Sequence, residues 1–220
     1  MLGYARAIAV LSKRNPRRDE QRLARRAAAQ ARLMQAAEDL LAEGHTFADL
    51  GIETITARAG ISRTTFYDYF EDKRQLLLAL GAKLAGDALH EADDWQPGDD
   101  HDQTKAELRR IIRALLRVYR HPVALAIMEA AFYDEVVRNA WREAQELRIQ
   151  RAIRLLRAER DGGRFQNHDS TLEARARVLH WCVHGTVLHE VVLKQELDED
   201  QLVDALVDVN ILGVRGTLPG

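Results

Sequence analysis

Arg63, Thr64 and Tyr67 bring a guanidinium, a hydroxyl and a phenol onto one short stretch of chain. Groups of this kind recognise duplex nucleic acid: an arginine fork matches guanine O6 and N7, and a threonine methyl fits against the thymine methyl. To point one way they need a helix, and the local sequence supplies it. Ser62 is a good N-cap for a helix starting at Arg63. Phe66 and Phe70 at i, i+4 turn inward, which leaves Arg63, Thr64, Tyr67 and Asp68 on the outer face. Ahead of them, Ile52, Ile55, Ala59 and Ile61 can close a small core, and Gly60 sits where the chain must reverse through positive φ. Two short helices joined by such a turn, with donors at the start of the second, predict a helix-turn-helix and its recognition helix.

The run AGISRTTFYDYFEDKRQLL, Ala59 to Leu77, resembles the DNA-binding signature of TetR-family transcriptional regulators. That resemblance implies an N-terminal three-helix DNA-binding domain and a larger all-α domain for ligand binding and dimerisation. It further implies that Thr65, Tyr67 and Tyr69 hold phosphates and that Lys73 meets phosphate at the start of the fourth helix, whose N-terminus adds partial positive charge. Tyr69 could equally pack the small domain beside Phe66 and Phe70. Asp68 either reads a cytosine amino group or pairs with Arg63 or Lys73. Two positions depart from the family pattern. Asp49 or Gly51 stands where Ser or Thr usually caps the second helix, and Thr56 stands where a small Ala lets the helices cross closely. The Thr56 hydroxyl is expected to bond the preceding turn or touch phosphate. The C-terminal two-thirds also resembles a mycobacterial member of that family, through the AERDG run at 158–162 after a long helix and a Trp-bearing sixth or seventh helix.

A chain of 220 residues with 4 Pro and abundant Ala, Leu, Arg and Glu predicts an all-α protein of about nine helices. The single Cys182 excludes an internal disulfide. No apolar run approaches the roughly 20 residues that span a bilayer, and Ala7 to Leu11 is too short for a signal peptide. The expectation is a cytoplasmic protein with no membrane partner. Net charge is only −2, but its distribution is uneven. Arg6, Lys13, Arg14, Arg17, Arg18, Arg22, Arg25, Arg26 and Arg32 face only Asp19 and Glu20 in the first 32 residues, whereas acidic excess gathers at His90–Asp102 and Glu196–Asp208. Such a basic block meets phosphate and releases counterions. The expected organisation is a basic, mobile arm over 1–24, a helix-turn-helix domain over 25–71, and a ligand-binding and dimerisation domain over 72–220. The first helix is expected at Arg25 to Ala42 and a surface loop at WQPGDDHD, 95–102.

In the larger domain, Met128, Phe132, Trp141, Trp181 and Val183 predict an apolar ligand site between helices, with His180 and His184 at i, i+4 as its polar groups. Each of these could instead simply fill the core. No H-E-x-x-H, Gly-rich phosphate loop or nucleophile elbow is present, so no catalytic residue, cofactor or metal site is expected. Leu179, Val183, Val187 and Val191 on one helix, and Leu202, Leu206 and Val209 on the last, form stripes expected to pair across a dimer axis. The resulting expectation is a repressor that binds palindromic double-stranded operator DNA as a homodimer and is released by an apolar small-molecule effector. The alternative is an all-α small-molecule binder or enzyme without sequence-specific DNA binding.

Overall fold

The computed structural model describes residues 16–93, 101–163, 169–193 and 198–215. Arg6, Lys13 and Arg14 of the basic block lie outside the described residues, as does most of the expected 95–102 loop. Among the described residues there are nine helices and no strand. These are α1 (Pro16–Ala42), α2 (Ile52–Ala59), α3 (Arg63–Tyr67), α4 (Lys73–Asp93), α5 (His101–Arg120), α6 (Pro122–Tyr133), α7 (Glu135–Asp161), α8 (Asp169–Leu193) and α9 (Glu199–Arg215). They form two compact units, one closing at Leu76 and the other beginning at Leu77.

The first helix starts earlier than the expected Arg25. Pro16 opens it with a preset φ, Glu20 suits the positive end of the helix dipole, and the Arg- and Ala-rich stretch that follows has high helix propensity. Residues 16–24, expected as part of a mobile arm, are therefore helix.

The core of the first unit is small and closed. Leu33, Ala37 and Leu40 of α1 are buried, as are Ile55 and Ala59 of α2, Phe66 of α3, and Phe70. The two phenylalanine rings lie 5.7 Å apart. The turn between α2 and α3 is made by Gly60 at φ +62°, with Gly60 N–H donating to Ala57 O and Ile61 N–H donating to Thr56 O. That pair of bonds is a Schellman close. The same close ends α1, where His45 N–H reaches Leu40 O and Gly44 N–H reaches Leu41 O. Ser62 caps α3, its Oγ accepting from Thr65 N–H at 3.1 Å. Gly51 starts α2 with no side-chain cap, and Asp49 instead closes the preceding turn through the Thr46 hydroxyl at 2.7 Å. The Thr56 hydroxyl donates to Glu53 O at 3.1 Å, so its polarity is satisfied within its own helix.

Two cations tie the unit together through backbone oxygens. Arg32 Nη2 on α1 donates to Ala59 O and to Gly60 O, closing the C-terminus of α2. Lys73 Nζ donates to Phe47 O at 2.9 Å and to Ala48 O and Leu50 O at 3.0 Å each, while lying 4.8 Å from the Phe47 ring centre. All three ammonium hydrogens are engaged.

In the second unit α6 packs on α7, α7 on α8, and α5 on α6, α8 and α9. The main core gathers Ile112, Leu116, Tyr119, Met128, Val187, Leu202, Leu206 and Ile211. A smaller one joins Ile149 and Ile153 of α7 to Leu172 and Ala176 of α8. Asp134 caps α7 by accepting from Val136 N–H and Val137 N–H. Gly81 on α4 faces Ile127 on α6 so closely that a Cβ there would come within 2.5 Å of Ile127 Cδ1. The acidic start of α9 meets arginines of α5: Arg109 with Asp204, Arg113 with Asp200 and Arg120 with Glu199, each at 2.6 Å. Exposed pairs like these add little stability singly, but the row of three fixes register between the helices. The stripes expected to form a dimer contact are corrected here. Val187, Leu202 and Leu206 are buried within the chain's own core, because α9 turns that face onto α5 and α8. The apolar residues left outward on these helices are Val178, Trp181, Val192, Val209 and Leu212.

Gly60→Ala forces a β-carbon into the left-handed region and displaces the Arg32 guanidinium, whose Nη2 would lie 2.8 Å away. A loss of about 1–2 kcal/mol is expected from the backbone alone, read as a lower urea midpoint by circular dichroism. Lys73→Met keeps the stem over Phe47 but removes three bonds from a charged donor. It is expected to cost about 2–3 kcal/mol, and an unchanged midpoint would refute the tie.

Candidate nucleic-acid interface and ligand-binding residues

The exposed end of α3 carries Arg63, Thr64 and Tyr67 as the sequence predicts, and Arg63 has partners there. Its guanidinium makes an ion pair with Glu53 of α2, and Nη2 donates to Tyr67 Oη at 3.3 Å, 5.9 Å above that ring. The Tyr67 ring stands edge-on against Phe66 at 5.5 Å, which holds the phenol outward. Arg63 thus has partners on the exposed face of α2 and α3. Sequence reasoning missed Glu53, although Glu53 and Arg63 flank the one turn that brings α2 and α3 together.

The remaining expected DNA residues divide. The Thr65 hydroxyl shares a 2.8 Å bond with Ser62 and belongs to the cap. Tyr69 is half-buried, with Arg26 of α1 lying 5.6 Å over its ring and donating to Asp68 O at 3.2 Å. Lys73 is corrected: its three hydrogens are bound to carbonyls, so the phosphate contact expected there is replaced by a structural tie. Neither Arg63 nor Lys73 pairs with the Asp68 carboxylate, since Glu53 and the 47–50 turn hold them instead. Arg25 and Arg26 remain exposed on α1, and Arg58 on α2 is held by Glu43 at 2.7 and 2.8 Å.

Of the seven expected ligand residues, five come together around Tyr119. Met128, Trp141 and Val183 pack on the main core, and the Trp141 ring stands edge-on to Tyr119 at 6.2 Å. His184 is buried with Nδ1 bound to the Tyr119 hydroxyl, and His180 stacks on it at 4.0 Å. The other two do not join them. Phe132 is 87% exposed, because the buried face of α6 follows Val123, Ala126 and Ala130, and position 132 falls opposite it. Trp181 is 52% exposed, one step round α8 from the inward His180. Two polar residues of the same region were overlooked: Gln145, which is buried, and Arg148, which is half-buried. Their signal was present, since Trp141, Gln145 and Arg148 fall at i, i+4, i+7 on one face of α7. Among the described residues no group of three or more His, Cys, Asp or Glu side chains could hold a metal ion, and no helix is long and apolar enough to cross a membrane.

Comparison with known proteins agrees with this geometry. The family described as bacterial regulatory proteins, tetR family, matches residues 33–80, which contain the helix-turn-helix and Lys73. Along most of its length the chain is similar to the HTH-type transcriptional regulator EthR of Mycolicibacterium smegmatis, 27% identical over 196 residues, covering 86% of this chain and 88% of that protein. The fold is similar to that of a TetR transcription regulator from Haloarcula marismortui (TM-score 0.67, 21% identity, 88% of this chain and 100% of that one). It is also similar to a TetR-family regulator from Syntrophomonas wolfei (TM-score 0.68, 15% identity, 87% and 98%). Residues 33–80, with their capped and cored reading helix, therefore carry the DNA-binding domain of the tetR family, and most of the chain is similar to a regulator of transcription.

Proposed function

We propose that this regulator is a repressor that binds a palindromic operator as a homodimer and leaves it when a small molecule enters the second unit. The observation that carries the DNA half is the exposed Arg63, braced by Glu53 and Tyr67 at the first turn of α3. A guanidinium held there can form two hydrogen bonds to guanine O6 and N7. Thr64 and Tyr67 accompany it on the same face, and Arg25 and Arg26 of α1 supply phosphate affinity in place of Lys73. One chain has one such helix, and a two-fold operator needs two, about 34 Å or a multiple of it apart. The outward Val178, Trp181, Val192, Val209 and Leu212 support pairing through α8 and α9. Gly185 lies on the same side of α8 with nothing within 4 Å of its would-be β-carbon, which leaves room for a second helix to approach.

The effector half draws on the Tyr119 region. A ligand bound there shifts the protein away from DNA only by its difference in affinity for the two states. Gel shifts with the gene's own upstream region at moderate salt test the reading, and a protein that binds no duplex specifically would instead be a small-molecule binder.

Arg63→Ala is expected to lower the ratio of specific to nonspecific affinity by about 1–3 kcal/mol, measured by fluorescence anisotropy with matched and scrambled duplexes. An unchanged ratio would remove Arg63 from the reading face. Trp181→Glu with Val209→Glu should give a helical monomer by light scattering at micromolar concentration, with operator binding lost. A double variant that remains dimeric places the interface elsewhere.

A further inference from the structure

Inside the second unit, α5, α7 and α8 contribute one joined set of polar side chains. Arg148 Nη1 donates to Gln145 Oε1 at 3.3 Å, and Gln145 Nε2 donates to Tyr119 Oη at 3.5 Å. The Tyr119 hydroxyl meets His184 Nδ1, and His184 stacks on His180. The series ends at His180 Nε2, a buried atom with no hydrogen-bond partner among the described residues.

The charges of this set do not balance. A guanidinium stays charged at any ordinary pH, yet among the described residues no carboxylate pairs with Arg148, whose hydrogen bond goes to a neutral amide. The carboxylate on the neighbouring residue, Glu146, is already committed. Both its oxygens accept from Arg177 at 2.8 Å, and one also accepts from Gln150 at 2.8 Å. Burial, with the Arg148 charge second, holds the His180 ring down to about 4. Burial, then His180, then Arg148 hold His184 to about 2. Both rings are neutral near pH 7, so they add no charge and Arg148 stands as the unanswered one. A half-buried cation without a counter-charge and a buried ring nitrogen without a partner are both costly, and one anion that reached both would relieve them.

We propose that this set is a head-group site for an amphipathic carboxylic acid. One carboxylate oxygen accepts from the Arg148 guanidinium and the other from His180 Nε2–H, while the apolar body lies along Trp141, Met128 and Val183. One guanidinium and one ring N–H match the two oxygens of a singly charged carboxylate; a doubly charged phosphate would ask for more donors. Identifying this acid with the effector rests on the proposed function above, and it replaces the purely apolar effector expected from the sequence by one with a charged end.

The test uses the full-length protein with decanoate and phenylbutyrate, each against its alcohol, decanol and phenylbutanol, with affinities from calorimetry. For at least one body, the acid is expected to bind about tenfold or more tighter than the alcohol. Arg148→Met should erase that preference while leaving alcohol binding in place, and His180→Phe should reduce it. Equal binding of acids and alcohols, no binding of any probe, or a preference that survives Arg148→Met would each overturn the site. If Arg148→Met fails to fold by circular dichroism, an undiminished preference in His180→Phe overturns it alone. Gel shifts with the same probes separate the two readings. An acid that binds with the predicted preference yet leaves the operator complex intact supports the site and refutes the effector role.

Discussion

Three carbonyl oxygens of the 47–50 turn, those of Phe47, Ala48 and Leu50, converge on one point, and a donor placed there satisfies all three. Lys73 supplies it, from the first residue of α4. The turn it closes sets where α2 begins, and Gly51 starts that helix with no side chain of its own to cap it. The Arg32 guanidinium does the corresponding work at the other end of α2. These two ties hold both ends of α2, so electrostatics adds to the few buried side chains of so small a core in placing α3 and its outward residues. A hydrogen bond from a charged donor is worth more than one from a neutral donor, which is why a unit with so little apolar area can stay ordered.

The helix-turn-helix was legible because its signals are local. Gly60, Ser62 and the Phe66–Phe70 pair each act within one turn of chain, and each does in the structure what its type suggests. What was not legible is which cations face inward. Lys73 and Arg63 look alike as basic residues near a DNA-reading helix, yet the first is engaged by backbone oxygens and the second stays exposed, paired with Glu53. The partners lie on other elements, at separations that no single-helix pattern contains. The same holds for α1. Its first turns read as a charged tail, although Pro16 and Glu20 together make a helix start.

In the second unit, amphipathic stripes identified the helices but not what they face. Val187 and Leu206 have the spacing of an interface and the burial of a core, because α5 lies over them. Phe132 and Trp181, the large aromatics that suggested a pocket, turn outward. The informative residues were the polar ones on an apolar face. Gln145 and Arg148 follow Trp141 at helical spacing, and a buried amide beside a cation is rarer and more telling than another buried leucine.

The pairing of Arg63 with Glu53 bears on how the proposed repressor would share itself between its operator and the rest of a genome. Any duplex that approaches brings phosphates toward a carboxylate as well as a guanidinium. A guanine edge can compete for the arginine; a sequence without one leaves the pair closed and meets the repulsion of Glu53. The carboxylate therefore subtracts more from the many wrong sites than from the right one. Those wrong sites outnumber the operator by about a millionfold or more, so a tenfold loss of affinity at each, about 1.4 kcal/mol, lowers the load on bulk DNA about tenfold. In the proposed repressor, one glutamate on the neighbouring helix would thus lower the number of copies needed to occupy an operator.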